Sequence, residues 1–309
     1  MREEELLRII RDTLSLSLKK EGVRVDIGDD GAIVEEGGIQ WVFTCDLLEE
    51  GIHFKRDYFS PYYLGWKGVA VSVSDIYAMG GEPLYALVSL SMPSGEEEIV
   101  KEIYQGVRDF SQEFRVKVVG GNLSTSSGWK IDVFGVGKVE SPILRRGAQK
   151  GDLIVVTGYP GEASGGRILL EKGVKGYEEI KKRFLKPYPR REILQIRRKF
   201  PLTSLIDVSD GVGRDLWRIL IASEKGALLF PEKFPLSPEL CEIFGEEAER
   251  LFWRGGEDYE LIFTIPGSVK IPSHWQGLKL TVIGEITEEK GKIRTPQGIL
   301  REEGFDHFV

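Results

Sequence analysis

Five acidic clusters punctuate the 309-residue chain: Gly28-Asp29-Asp30-Gly31; Thr44-Cys45-Asp46; Ser74-Asp75 ahead of Met79-Gly80-Gly81; Asp207-Val208-Ser209-Asp210-Gly211 with Asp215 beyond it; and Gly255-Gly256-Glu257-Asp258. They fall at strand ends or in glycine-rich turns. Singly, each has a structural reading, because Asp-Gly makes turns and Asp or Ser caps helices. As a set they read differently. Carboxylates gathered at one site repel one another unless cations compensate. Hard oxygen ligands without a His or Cys cluster suit magnesium or calcium rather than zinc. Magnesium attracts phosphate oxygens, so a chain of net charge -7 acquires a route to a polyanion such as ATP.

Other motifs are more equivocal. Gly158-Tyr159-Pro160-Gly161 to Ser164-Gly165-Gly166 follows an apolar run and precedes a helical pattern. Its backbone N–H groups suit phosphate, and a tight strand-to-helix turn explains it equally well. It lacks the GxxxxGK[ST] spacing, and the protein-kinase signatures are missing too. Gly120-Gly121-Asn122 after Val118-Val119 reads as a turn with a ligand at its tip. Arg145-Arg146 is either solvated linker charge or a phosphate clamp. His53, His274 and His307 are not paired at metal spacing, and Cys45 and Cys241 form no CxxC.

Composition narrows the class. The hydrophobic fraction is 41% and the charged fraction 29%, as in ordinary globular chains. The acidic balance argues against a nucleic-acid partner, which needs a basic stripe. No run approaches the ~18 apolar residues of a membrane helix. The opening Met1-Arg2-Glu3-Glu4-Glu5 is acidic, unlike a signal or transit peptide, and two free thiols fit a reducing compartment, so a cytoplasmic location is expected.

The elements that must position these residues follow from periodicity. Residues 3–14 read as a helix with Leu6, Leu7, Ile10 and Leu14 on one face. Residues 39–44, 84–92 and 131–137 read as strands, and Ile99, Ile103, Val107, Phe110 and Phe114 mark a long amphipathic helix. Residues 66–78 fit either a strand, by the alternation of Val69, Val71 and Val73, or a helix stopped by Gly80-Gly81. A polar stretch from Ser141-Pro142 to Lys150-Gly151 suggests a boundary, giving domains 1–140 and 141–309. Beyond it, Leu153–Thr157, Ser204–Val208, Ala227–Phe230, Leu261–Ile265 and Leu280–Ile286 are strand candidates. The expected class is α/β or α+β in two domains.

Taken in order, the motifs resemble the thiamine-monophosphate kinase family. The resemblance is carried by Gly28-Asp29-Asp30-Gly31-Ala32, Thr44-Cys45-Asp46-Leu47, Gly51-Ile52-His53-Phe54, Val73-Ser74-Asp75-Ile76-Tyr77-Ala78-Met79-Gly80-Gly81, Asp207 to Gly211 with Asp215, Gly255 to Leu261, and Gly304-Phe305-Asp306-His307-Phe308. It implies the aminoimidazole-ribonucleotide-synthetase-like fold, with amino-terminal domains pairing into a barrel in a homodimer. It also implies direct transfer of the γ-phosphoryl of ATP to thiamine monophosphate, with several magnesium ions. By this resemblance Asp30, Thr44, Cys45 (through its backbone), Asp46, Asp75, Asp207 and Asp210 hold metal, with Asp29 and Asp215 as weaker candidates. Ser209, Tyr104, Gly121 and Arg145 contact ATP, and His53, Glu257 and Phe305 contact the thiamine substrate. The family's usual GGD is Gly120-Gly121-Asn122 here, so Asn122 stands as a neutral ligand to metal or nucleotide. No catalytic side chain is expected, because the acceptor phosphate is already ionised near neutral pH. The rivals are another enzyme of the same superfamily, such as aminoimidazole ribonucleotide synthetase, and a non-catalytic calcium-binding module, against which the absence of EF-hand spacing counts.

Overall fold

The computed structural model describes residues 3–14, 21–301 and 303–305. The amino-terminal half runs α1 (Glu3–Leu14), β1 (Val23–Val25), β2 (Ala32–Glu36), β3 (Ile39–Glu49), α2 (Pro61–Ala78), β4 (Glu82–Met92), α3 (Ile99–Phe114), β5 (Lys117–Thr125) and β6 (Lys130–Val139). The rest runs β7 (Leu153–Thr157), α4 (Glu162–Glu171), α5 (Glu178–Leu185), α6 (Ile193–Lys199), β8 (Ser204–Val208), α7 (Val212–Ser223), β9 (Gly226–Leu229), α8 (Pro238–Phe244), α9 (Glu247–Arg254), β10 (Glu260–Ile265), β11 (His274–Trp275), β12 (Leu278–Thr287), β13 (Ile293–Thr295) and β14 (Gly298–Leu300). The mixed α/β class expected from sequence is the class observed.

Two sheets carry the site. The first has six strands in the order β1-β2-β3-β6-β4-β5, antiparallel except for β4 and β5, which the crossover helix α3 joins in parallel. The second runs β14-β13-β9-β12-β7-β10-β8, with β11 paired to β12.

Residues 66–78, where sequence left strand and helix open, are helical. Ser60 caps α2 by accepting from the Tyr63 N–H, and Pro61 opens it. From Leu64 to Ala78 nearly every residue is buried, polar ones included. The valine alternation therefore reflects burial on all sides rather than a pleat. One side of α2 lies on the first sheet. Another meets α3 so closely that a Cβ on Gly65 would sit 1.8 Å from Ile103 O, and one on Gly106 would sit 2.0 Å from Tyr62 O. Glycine at both positions is what lets the two backbones touch. The helix also reaches the second half: the Trp66 indole donates to Pro187 O at 2.8 Å, and one hydrophobic cluster runs from Leu48, Val69 and Ile103 to Phe184, Leu205 and Phe263.

Two expectations are corrected. Gly120-Gly121-Asn122 is not a turn. It lies inside β5, with Gly120, Gly121 and Asn122 paired to Leu87, Val88 and Ser89. Thr44-Cys45-Asp46 does not end a strand either, because pairing with β6 carries β3 on to Glu49. In both places long-range ladder bonds override local turn or end signals.

Candidate active site

The carboxylates converge where α2 meets the rims of both sheets. Asp30 comes from the turn before β2, Asp75 from the last turn of α2, and Asp207 from β8. One oxygen of each lies within 4.8 Å of the others. Asp46, on the α2 side of β3, stands beside Asp75. The surroundings of α2 explain how such a cluster tolerates its own charge. Ser74 Oγ donates to Asp207 Oδ2 at 2.6 Å, and Ser72 Oγ lies 2.8 Å from Asp46 Oδ2. Thr44 Oγ1 donates to Ser72 O, fixing β3 to the helix. On the far side Arg145 Nη2 donates to Asp30 Oδ1 at 2.7 Å, and its backbone N–H faces Asp29.

Burial pushes Asp75 and Asp207 well above the usual carboxylate range, and their acidic neighbours add to it. Asp46 is raised to about 6, first by burial, against hydrogen bonds from Ser72 and Asp75. Burial, then Asp30, raises Asp29 to about 7, while Arg145 opposes the shift. Asp30 Oδ2 is buried and has no hydrogen-bond partner. An unpartnered buried carboxylate oxygen beside two more carboxylates, with neither His nor Cys in the group, fits a hard divalent cation.

A second layer comes from the turn Ser209-Asp210-Gly211 between β8 and α7. The Asp215 carboxylate sits at the start of α7 and accepts from the N–H groups of Ser209, Asp210 and Gly211 at 3.1, 3.0 and 3.1 Å. Asp215, raised to about 7 chiefly by burial, therefore builds the turn, and Arg218 bridges it to Asp210 at 2.8 and 2.7 Å. The turn's carbonyls then position two distant segments. Ser209 O accepts from Glu257 N–H at 2.7 Å, and Asp210 O accepts from Phe305 N–H at 2.9 Å. Antiparallel pairing of β10 with β8 brings the Gly255–Asp258 loop to this turn.

Other sequence candidates sit elsewhere. The His53 ring, in the turn after β3, accepts from Glu49 N–H through Nδ1 at 3.0 Å. The Cys45 thiol is on the opposite sheet face from Asp46, and burial with Asp132 pushes it up to about 11. Tyr104 on α3 packs half-buried against the core. Gly121 and Asn122 are on the edge strand β5, third across from β3, about 14 Å at the usual strand spacing. Asn122 shares the register of Ser89, Asp132 and Leu47, which puts it on the face away from Asp46. Within one chain it does not join the cluster. Asp306, His307 and Phe308 lie outside the described residues.

The Gly158–Gly166 turn resolves toward its structural reading. Asp258 accepts from Gly161 N–H at 2.7 Å and Ala163 N–H at 2.9 Å, so a carboxylate already occupies the start of α4. Sequence reasoning passed over Ser72, Lys67 and Arg218, and it named Ser74 only as the neighbour of Asp75, with no role. The available signal was polar residues spaced through the buried Trp66–Ala78 segment.

Comparison with known proteins places this arrangement. The model of the AIR synthase related protein N-terminal domain matches residues 28–139, which include Asp29, Asp30, Asp46 and Asp75. The fold is thus of the AIR-synthase-related class. The hydrogenase maturation protein HypE in complex with ATP shares the fold, with a TM-score of 0.70 over 95% of this chain and 94% of that one at 16% identity. Much greater similarity is found elsewhere. The thiamine-monophosphate kinase of Aquifex aeolicus is 36% identical over 91% of this chain and 92% of its own, and that of Rhodopirellula baltica is 35% identical over 87% and 85%. The chain belongs to the thiamine-monophosphate kinase family. A solved structure described as AaThiL complexed with AMPPCP and TMP superposes with a TM-score of 0.89 at 33% identity, over 99% of this chain and 97% of that one.

Proposed function

We propose that this chain phosphorylates thiamine monophosphate to thiamine diphosphate with ATP, in a magnesium-dependent, direct transfer. The observation that carries the reading is the Ser209-Asp210 turn. Its neighbour Asp207 belongs to the carboxylate cluster, while its own carbonyls hold Glu257 and Phe305. A metal–phosphate subsite and an organic subsite are thereby fixed to one rigid turn. The relative described with AMPPCP and TMP holds a nucleotide analogue and this acceptor together, which supports the same pairing here.

Asp30, Asp75 and Asp207, with Asp46 adjoining, would hold magnesium, and Thr44, the Cys45 backbone and Asp210 complete the candidate set. Magnesium held by these residues would supply the positive charge that offsets two polyanions and favours in-line displacement. An acceptor phosphate oxygen forms the new bond to the γ-phosphorus as the bond to the β–γ bridging oxygen breaks, releasing ADP. The chain's residues position rather than exchange protons. Arg145, Ser209, Tyr104 and Gly121 are assigned to ATP. Phe305, 45% exposed, offers a ring face to the acceptor, with His53 and Glu257 as its polar contacts.

Asn122 enters this scheme through a second copy. The sheet face that carries it also exposes Leu47, Tyr85, Leu87 and Phe134, an apolar surface suited to pairing of residues 1–140 in a homodimer. Residues 141–309 form the second α/β domain. No helix of the described residues is long and apolar enough to cross a membrane. Free Cys45 and Cys241 fit a cytoplasmic enzyme.

The test is purified protein with ATP, magnesium and thiamine monophosphate, followed by chromatography. Thiamine diphosphate and ADP should form in equal amounts, and EDTA should stop both. ADP without thiamine diphosphate would overturn the acceptor assignment.

A further inference from the structure

Lys67 is a charged residue that the scheme above leaves unused. Its side chain, on α2, has no solvent exposure. The ammonium lies 2.8 Å from Glu257 Oε2 and 3.8 Å from the centroid of the Phe184 ring, with Phe59 at 5.6 Å. Burial lowers its pKa, Glu257 works against that, and the positive charge of Arg167 on α4 adds to the lowering. A packed apolar side chain would fill this space at less cost, because a buried cation gives up its hydration. Ring faces and one carboxylate are the compensation it receives.

The geometry on the Glu257 side says what the cation is for. Glu257 has a left-handed backbone (φ 68) and hangs from Ser209 O. Its side chain keeps 22% exposure. Lys67 takes Oε2, and no described residue donates to Oε1. One oxygen is held by the Lys67 ammonium, and the other is left to accept from a bound partner.

We infer that Lys67 is a positioning residue that fixes Glu257 as a one-sided hydrogen-bond acceptor, so that Glu257 recognises an N–H donor of the phosphate acceptor rather than its quaternary charge. This rests on the preceding assignment of Glu257 to the acceptor site. With Lys67 paired, the local net charge is close to zero, which favours a directed bond over attraction of a bare cation. In thiamine monophosphate the matching group is the exocyclic amine of the pyrimidine. An analogue with oxygen in place of that amine, oxythiamine monophosphate, lacks the donor.

The experiment measures kcat and KM for both acceptors and for ATP in the wild type, Lys67→Met, Lys67→Arg, Glu257→Gln and the Lys67→Met/Glu257→Gln double variant. Wild type should favour thiamine monophosphate over oxythiamine monophosphate at least tenfold in kcat/KM. Lys67→Met should raise KM for thiamine monophosphate about tenfold, leave KM for ATP within twofold, and erase most of that preference. Lys67→Arg should recover the preference. The double variant should be no worse than Glu257→Gln alone, since Lys67 acts through Glu257. Lys67→Gln, which keeps a donor without the charge, replaces Lys67→Met if the latter does not fold. An unchanged KM for thiamine monophosphate in the uncharged variant overturns the inference, as do equal rises for both substrates or a double variant much worse than Glu257→Gln. A wild type that does not phosphorylate thiamine monophosphate removes the functional reading itself, a distinct outcome.

Discussion

Replacing Asp75 by Asn should make the metal-free protein more stable while removing its response to magnesium. In the wild type the Asp75 carboxylate lies within 4.8 Å of oxygens from Asp30 and Asp207. At an effective dielectric of about 20, each such pair of unit charges repels by about 3.5 kcal/mol. Arg145 and bound protons absorb much of this, leaving a gain of about 1–3 kcal/mol for the neutral amide. With an unfolding entropy of roughly 2 cal/mol/K per residue, 2 kcal/mol corresponds to about 3 °C in Tm for a chain of this length. Magnesium at about 100 times its Kd should stabilise the wild type by about 2.7 kcal/mol, or about 4 °C, and the variant by less than about 1 °C. The pH dependence has a definite sign. A carboxyl with its pKa raised in the native chain makes that state bind more protons than the unfolded one. Metal-free stability therefore falls as pH rises, through about 6 for Asp46, and Asp75, raised by burial and its acidic neighbours, contributes with the same sign. The advantage of Asp75→Asn should then be larger at pH 8 than at pH 5.5. Calorimetry of EDTA-treated protein, with and without magnesium, reads all of this. If the metal-free variant melts below the wild type and both gain equally from magnesium, the cluster is not a cation site and its repulsion is not stored in the fold.

Two further outcomes test other parts of the argument. Gly106→Ala drives a Cβ to 2.0 Å from Tyr62 O, so α2 and α3 must separate; the cost should be about 2–3 kcal/mol, seen as a fall of about 3–5 °C in Tm. Asn122→Asp should need less magnesium for half-maximal rate and Asn122→Ala more, with both effects confined to the dimer; shifts in the same direction would remove Asn122 from any metal site.

Sequence alone determined the materials of the site. Acidic residues at the turn before β2 and at the end of β8, with hard oxygen donors and no His or Cys grouping, already pointed to a hard divalent cation such as magnesium or calcium. Long periodic segments such as α3 and β6 were equally plain, because the 3.6 and 2 residue repeats are local properties. What lay between strand and helix at residues 66–78 was not local. A segment buried on every side loses its polar face, and with it the repeat that distinguishes the two. Tertiary structure also decided where glycine-rich runs went: Gly120-Gly121-Asn122 became a strand because β4 offers a parallel ladder, and Gly158–Gly166 became a capped helix start because Asp258 fills the anion position. Partnerships across the chain were the most hidden. Ser74 meets Asp207 across 133 residues and Lys67 meets Glu257 across 190. No spacing rule reaches that far, since such pairs form only when two sheets dock on one helix and exclude the water that would otherwise solvate each charge separately.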